Sequence, residues 1–242
     1  KLYSNSFNGW ITMRITFLTL FPEMYDNFLH TSIIGRAILE NKVSVDFVNI
    51  RDFALDKYKH VDDTPYGGGA GMIMKCQPVL DALESVRTEQ SHVVLFAANG
   101  KQYKQSIARR YATTYDHLIL LCGHYEGIDA RIENHVDEVI SIGDYILTGG
   151  ELASMVVADS VIRLLNGVIL EDSINDESYE NGLLEYPQYT KPQDYKGEKI
   201  PDVLASGNHE NIRKWRKQQS LVMTREKRKD LFDAYVLTEE DK

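Results

Sequence analysis

The 242-residue chain lacks the features that mark several classes of protein. It has only two cysteines, Cys76 and Cys122, each in apolar sequence, which excludes a disulfide framework and favours a reducing compartment. Neither cysteine has a CxxC or histidine partner at the spacing of a zinc site. No apolar run reaches the roughly 18 residues of a membrane span, so we expect no membrane association and a cytoplasmic location.

Positive charge is scarce overall and concentrated in one segment. The net charge of -9 argues against a protein that coats nucleic acid over its whole surface. Residues 206–229, however, carry eight lysines and arginines against two glutamates. Within this segment, SGNHENIRKWRK at 206–217 crowds basic side chains around Trp215. The pattern fits phosphate contact with an aromatic ring for stacking, or a solvated basic helix with Trp215 in the core.

Strand-like and helical patterns alternate over most of the chain. This alternation predicts an α/β domain with a mainly parallel sheet over residues 13–165. Residues 1–12 lack the apolar core of a signal peptide, and we interpret them as an expression remnant. The predicted strands are 14–21, 43–50, 92–98, 117–122 and 136–147, and the predicted helices are 23–40, 77–87, 101–112 and 151–165.

The pattern changes after residue 165. Residues 166–181 are acidic and poor in apolar side chains, which is typical of a flexible linker. From residue 182 to 242 the pattern indicates helices and no clear strands. We therefore predict a small helical domain at residues 182–242.

Three glycine-bearing turns follow predicted strands. They read LFAANG at 95–100, LCGHYEGID at 121–129 and SIGDYILTGGE at 141–151. Because ligands bind outside the carboxyl ends of parallel strands, we expect these turns to form the walls of one cleft. A fourth glycine-rich stretch, VDDTPYGGGAGM at 61–72, matches neither a Walker loop nor a dinucleotide fingerprint. It indicates either a flexible loop or an anion-binding backbone.

Four motifs in this order resemble the bacterial tRNA (guanine-N1)-methyltransferases: VDDTPYGGGAGM, CGHYEGID, SIGDYILTGGEL and LLEYPQYTKP…VLASGNHENIRKWR. The resemblance extends from residue 13 to the last residues. It implies a SPOUT fold, in which a trefoil knot lies toward the C-terminal side of the sheet, and a homodimer with active sites at the subunit interface. The implied activity is methyl transfer from S-adenosylmethionine to N1 of guanosine 37 in tRNA, beside the anticodon.

The resemblance also implies a cofactor pocket made by the three turns. His124 stands where many relatives have arginine, and we assign it no strong role. The family is described as magnesium-dependent, but the sequence places no metal site. The residues implied for S-adenosylmethionine are Leu95, Phe96 and Ala97 from the first turn, Gly123, Tyr125, Glu126 and Gly127 from the second, and Ser141, Ile142, Gly143, Tyr145, Leu147, Gly149 and Gly150 from the third.

The chemistry of the implied reaction requires a base and a cation. Guanine N1 carries a proton that must leave, and the charge that moves onto O6 must be stabilised. The resemblance implies Arg163 for the second role. Relatives use a linker aspartate as the base, whereas this chain has Glu177 at that position, which we favour, and Asp176 one residue earlier as the alternative.

The tRNA contacts implied by the resemblance involve both ends of the chain. Asp62 and Gly69 are expected near the target base, and His209, Arg213 and Arg216 on the anticodon arm. Two other interpretations stay open. One is a SPOUT enzyme acting on another RNA, such as ribosomal RNA. The other is a non-catalytic RNA-binding module, which the missing aspartate favours and the intact Arg163 and cofactor turns disfavour.

Overall fold

The computed structural model describes residues 13–170 and 177–237. The chain divides into two compact units, and the division falls between Ile169 and Leu170. The boundaries predicted from the sequence, after residues 165 and 181, stay predictions. Residues 1–12 and the central part of the predicted linker, which includes Asp176, lie outside the described residues.

A five-stranded parallel sheet forms the first unit, which confirms the predicted α/β class with a mainly parallel sheet. The strand order is β2-β1-β6-β5-β7. Two further strands, β3 and β4, form a separate antiparallel pair. The strands are β1 (Met13–Thr19), β2 (Val43–Asn49), β3 (Asp62–Asp63), β4 (Ile73–Met74), β5 (Ser91–Gln102), β6 (His117–Cys122) and β7 (Glu138–Ser141).

The central strand β6 explains why the apolar runs are nearly continuous. All six of its residues are buried. Leu118, Leu120 and Cys122 belong to one core cluster, whereas Ile119 and Leu121 belong to another. Alternate residues of a strand point to opposite faces, so both faces of the sheet are covered at β6.

The helices of the first unit differ from prediction in two places. The predicted helix 23–40 is broken, because Thr31 is extended and Ser32 has a positive φ of 55°. The predicted helix start at Lys101 is wrong, because that residue belongs to β5. The helices are α1 (Asp26–His30), α2 (Ser32–Leu39), α3 (Cys76–Glu84), α4 (Gln105–Thr114) and α5 (Glu151–Ile162), with 3-10 turns at Pro22–Tyr25, Ile50–Phe53 and Ala130–His135.

His117 is a buried histidine that links β6 to its neighbours. Its Nε2 lies 2.8 Å from Thr16 Oγ1 and its Nδ1 lies 2.8 Å from Ser91 Oγ. Burial, and then the charge of Arg14, lowers the pKa of His117 from 6.5 to about 4. Because protonation favours the unfolded chain, this histidine destabilises the fold as the pH falls from 6.5 through 4.

We therefore expect acid-dependent loss of stability that depends on His117. Between pH 7 and pH 4, the free energy of unfolding should fall by up to about 3 kcal/mol more in the wild type than in His117→Gln. Urea unfolding at a series of pH values measures this difference. The exposed His135 provides the control, since His135→Gln should keep the wild-type slope. Equal slopes for His117→Gln and the wild type would contradict the prediction.

A second buried histidine lies at the amino-terminal ends of the strands. His92 Nε2 lies 3.2 Å from Glu138 Oε2, and Arg110 Nη2 donates to both oxygens of that carboxylate at 2.7 Å. Burial alone raises the pKa of Glu138, but hydrogen bonds from Tyr111, Arg110 and His92 lower it overall. This cluster joins α4 to β5 and β7.

The described part of the second unit contains helices and one small hairpin. Its helices are α6 (Asp202–Ala205), α7 (His209–Lys227) and α8 (Lys229–Ala234). The expectation of no clear strands is wrong, because β8 (Asp194–Tyr195) pairs antiparallel with β9 (Glu198–Lys199). Across the described parts of both units, no helix combines the length and apolar character needed to cross a bilayer.

Candidate active site

A cavity of about 410 Å³ lies where β5, β6 and β7 end. This volume falls in the range of small-molecule sites, about 300–1,000 Å³. Most of its wall comes from residues 96–99 (the first loop), 123–128 (the second loop) and 140–150 (the third loop), of which Asp144 alone does not line the cavity. The three turns that follow the predicted strands therefore line one cleft.

The first loop is an interruption within β5. Phe96 and Lys101 both align with Ile140 of β7, so residues 97–100 bulge out of the sheet. The bulge places Phe96 and Ala97 in the cavity wall. Leu95 does not line the cavity, contrary to expectation, because its side chain is fully buried in a core cluster.

The second loop is a tight turn joined to the third. The Gly127 amide donates to the His124 carbonyl at 3.2 Å, and Tyr125 adopts a left-handed φ of 60°. The Gly150 amide donates to the Gly123 carbonyl at 2.8 Å. His124 also forms an isolated antiparallel bridge with Gly149, so the two loops are held side by side.

The third loop ends the sheet and begins α5. The Ser141 hydroxyl donates to the Gly143 carbonyl at 3.1 Å, which turns the chain away from β7. A Cβ at Gly150 would lie 2.8 Å from the Cys122 Cα, so no larger residue fits beside β6. Gly149, Gly150 and Ala153 in the first turn of α5 border the cavity, and a helix N-terminus favours a negatively charged or carbonyl group.

The glycine-rich stretch 61–72 is attached to the second loop. The Glu126 amide donates to the Met72 carbonyl at 3.0 Å, and the Met74 amide donates to the Gly127 carbonyl at 3.0 Å. A side chain at Gly71 would collide with Glu126. Asp62 is half-buried in β3, and Gly69 is exposed. This stretch is therefore positioned next to the cleft.

Arg163 directly follows α5, and its amide donates to the Asp159 carbonyl at 3.1 Å. It lines a second cavity, of about 270 Å³, together with Asp159, Phe28 and Ser32. Within the first unit, Arg163 therefore lies outside the larger cleft. This predicted catalytic residue lines one cavity, and the cofactor loops line the other.

In the second unit, basic side chains are exposed on α7. His209, Arg213 and Arg216 all face solvent. The Arg216 guanidinium lies 4.7 Å from the centre of the Tyr186 ring. Trp215 is half-buried, with its ring centre 6.5 Å from that of Tyr189. The helix therefore has a basic, aromatic-backed surface of the kind that contacts nucleic-acid backbones.

A family model for tRNA (Guanine-1)-methyltransferase TrmD matches residues 13–234. The chain belongs to this family. The tRNA (guanine-N(1)-)-methyltransferase of Clostridium botulinum strain Langeland is 53% identical over 232 residues, which cover 95% of this chain and 96% of the relative. Its counterpart from Malacoplasma penetrans is 53% identical over 224 residues, which cover 93% of this chain and 99% of the relative. The counterpart from Clostridium perfringens strain ATCC 13124 is 52% identical over 231 residues, which cover 95% of this chain and 97% of the relative.

The structure brings together nearly all residues that the family resemblance implied for the cofactor. Of those fourteen residues, all except Leu95 line the larger cavity. The cavity wall also includes residues to which the resemblance assigned no cofactor contact, which are Ala98, Asn99, His124, Ile128, Glu133, Ile140, Ile146, Thr148 and Ala153. Glu133 comes from a separate 3-10 turn and accepts a hydrogen bond from Asn99 at 3.1 Å, a contact that no local pattern signals.

The predicted base of this tRNA (guanine-1)-methyltransferase family member lies at the edge of the described chain. Glu177 is half-buried, and its carbonyl accepts from the Glu180 amide at 3.3 Å. Asp176 lies outside the described residues. Within residues 13–170 and 177–237, no cluster of three acidic, histidine or cysteine side chains could hold a metal ion. The role of magnesium stays a prediction.

Proposed function

We propose that this chain transfers a methyl group from S-adenosylmethionine to N1 of guanosine 37 in tRNA, beside the anticodon. The observation that carries the proposal is the single cavity lined by all three glycine-bearing loops, in a chain that matches the tRNA (Guanine-1)-methyltransferase family over residues 13–234. The family gives the class of reaction. The cavity provides a site for the methyl donor.

The cavity suits S-adenosylmethionine in its shape and its chemistry. Phe96, Ile140 and Leu147 give it apolar surface, and the turns expose backbone groups that can read the edge of an adenine. A side chain at Gly149 or Gly150 would collide with residues of the second loop, β6 or α5, so these glycines let the cavity walls pack closely together. The bound cofactor supplies a methyl group on a positively charged sulfur, so the protein's task is to orient donor and acceptor in line.

The chain's own residues activate the guanine. A carboxylate, Glu177 in preference to Asp176, takes the proton from N1. The Arg163 guanidinium donates to O6, where negative charge develops as the proton leaves. Each of these residues is present in the sequence, and Arg163 borders a cavity large enough for part of a base.

The tRNA is held by two surfaces in this proposal. Asp62 and the exposed glycine-rich stretch, including Gly69, lie beside the second loop and face the target base. The exposed His209, Arg213 and Arg216 of α7 contact the anticodon arm. Basic side chains that neutralise phosphates reconcile RNA binding with an acidic chain.

The proposal includes a homodimer with the trefoil-knotted fold. In its support, α5 is apolar on both sides: Val157 and Val161 are fully buried, whereas Leu152 is 50% exposed and Val156 is 48% exposed. A helix that is apolar all round is normally covered on both sides. In the proposed dimer, Arg163 of one chain acts at its partner's cofactor cavity, because within one chain Arg163 and the cofactor loops line different cavities.

The direct test is methyl transfer from labelled S-adenosylmethionine, with magnesium, to two tRNA transcripts that differ only at position 37. We expect label on the guanosine 37 transcript and none on the adenosine 37 transcript. Label on a ribosomal RNA fragment alone would indicate another RNA substrate. Cofactor binding without transfer to any RNA would overturn the enzymatic proposal.

We also expect tRNA affinity to fall steeply with salt, because each neutralised phosphate releases counterions. In a plot of log affinity against log salt concentration, Arg213→Gln should reduce the slope by about one unit for each phosphate contact that is lost. Filter binding or fluorescence anisotropy at several salt concentrations measures the slope. Arg87→Gln is the matched control, since Arg87 is engaged by the His135 carbonyl and Asp137 in the other unit. An unchanged slope for Arg213→Gln would remove this residue from the RNA surface.

A further inference from the structure

A buried polar cluster lies behind the glycine pair of the third loop, and the proposed chemistry does not use it. Its central group is Glu151, the first residue of α5, which is 2% exposed. The Thr19 hydroxyl donates to Glu151 Oε1 at 2.8 Å. Isolated carboxylates are rarely buried to this degree, because desolvation strongly disfavours the charge. Glu151 therefore needs further compensation.

His124 lies close enough to Glu151 to compensate the buried carboxylate. Its Nδ1 lies 3.8 Å from Glu151 Oε2, with 23% of the His124 side chain and 3% of the Glu151 side chain exposed. Within the described part of the chain, this nitrogen is buried without a hydrogen-bond partner. The imidazole packs against Phe21 and Tyr125, with ring centres 4.9 and 5.1 Å away. A protonated Nδ1 and the carboxylate satisfy each other after a movement of less than about 1 Å.

The other titratable groups that face Glu151 are held neutral. Burial raises the pKa of the Cys122 thiol to about 12, and the charge of Glu151 raises it further in the same direction. Burial also raises the pKa of Tyr25, whose hydroxyl lies 2.7 Å from Ser154 Oγ. Neither group carries the positive charge that would balance a carboxylate.

The pair also spans two walls of the cofactor cavity. His124 belongs to the second loop, whereas Glu151 follows the third loop directly. A side chain at Gly149 would collide with both groups, so the space between them is kept for their contact. His124 lines the cavity and Glu151 does not, which means that Glu151 acts on the cavity through His124.

We propose that His124 and Glu151 form a positioning ion pair that fixes the spacing of the second and third loops around the methyl donor. This inference rests on the proposed function, because it concerns the S-adenosylmethionine cavity. Loss of either partner loosens both walls. The pair should therefore affect cofactor affinity and KM more than kcat at saturating cofactor.

A double-mutant cycle read by calorimetry tests the pairing. His124→Gln and Glu151→Gln should each weaken binding of S-adenosylmethionine and of its neutral product, S-adenosylhomocysteine, by roughly tenfold, and the double variant should be no weaker than the weaker single variant. Independent effects that multiply in the double variant would overturn the proposal. Wild-type protein that binds neither compound would instead overturn the proposed function.

His124→Arg provides a second route if Glu151→Gln does not fold. Arginine keeps a positive charge for the carboxylate, so this variant should bind S-adenosylmethionine within about threefold of the wild type. Equal weakening by His124→Arg and His124→Gln would overturn the charge argument. The matched control is the other buried histidine–carboxylate pair, because His92→Gln and Glu138→Gln should lower the melting temperature and leave cofactor affinity unchanged.

Discussion

Replacing Arg163 by alanine is expected to lower the rate of methyl transfer at saturating substrates by about 100- to 1,000-fold, the usual effect of removing a donor to a developing oxyanion. The reason is chemical, since deprotonation of guanine N1 moves negative charge onto O6. Arg163 lies at the end of α5, is half-buried and borders the second cavity. Its loss should therefore remove a charge without creating a buried void.

Single-turnover transfer to the guanosine 37 transcript measures this effect. Cofactor affinity should stay at the wild-type value, because the proposed partner of Arg163 is O6 of the guanine and not the methyl donor, and Arg163 does not line the larger cavity of its own chain. Arg163→Lys should recover part of the rate, since lysine keeps the charge but not the planar fork of donors. Arg87→Ala is the control, and a rate for Arg163→Ala within about threefold of that control would exclude Arg163 from transition-state stabilisation.

The sequence predicted those parts of the fold in which local composition and tertiary burial agree. β6 was predicted with its observed limits, because HLILLC is apolar on both faces and the sheet is covered on both sides. The turn after it was also identifiable, since Gly123 follows the strand directly. Its alignment with the other two glycine turns follows from the parallel direction of the strands.

Other features depend on partners distant in the chain. The extension of β5 through Lys101 and Gln102 requires pairing with Ile140 and Ser141, which polar side chains alone do not signal. Conversely, residues 142–147 have strand-like composition but do not continue β7, because the Ser141 hydroxyl donates to the Gly143 carbonyl and the chain turns there. The expected strand over 136–147 is therefore correct only at Glu138–Ser141.

The candidate site also has parts that local sequence predicts and parts that depend on distant partners. Glycines and apolar strand ends locate its walls, whereas the buried contact between Glu151 and Thr19 joins residues 132 positions apart. Family resemblance is the sole basis for predicting catalytic roles for Arg163 and Glu177, because no periodicity distinguishes them from other charged residues. The Leu95 side chain lies in the core and not in the cavity wall, because the alternation of the strand decides which side chains face the core.

Glu177→Gln is expected to lower kcat by about 100- to 10,000-fold, the range for loss of a positioned general base. Glutamine keeps the size of the side chain but cannot take the proton from N1. Glu177 lies in a turn in which the Tyr179 amide donates to the Leu183 carbonyl at 2.8 Å, so the backbone should keep its shape. Single-turnover methyl transfer to the guanosine 37 transcript provides the readout.

The neighbouring acids make the assignment specific. Glu180→Gln, in the same turn, is the matched control and should retain at least about a third of the wild-type rate, as expected for an acid with no chemical role. Asp176→Asn should behave like this control if Glu177 is the base. If Asp176→Asn instead abolishes turnover while Glu177→Gln retains it, the base is Asp176, and the position-by-position match to the family's aspartate is shifted by one residue. A glutamate base carries its carboxylate one methylene further from the backbone than an aspartate, so Glu177→Asp should recover activity only if the turn can approach the guanine by that distance.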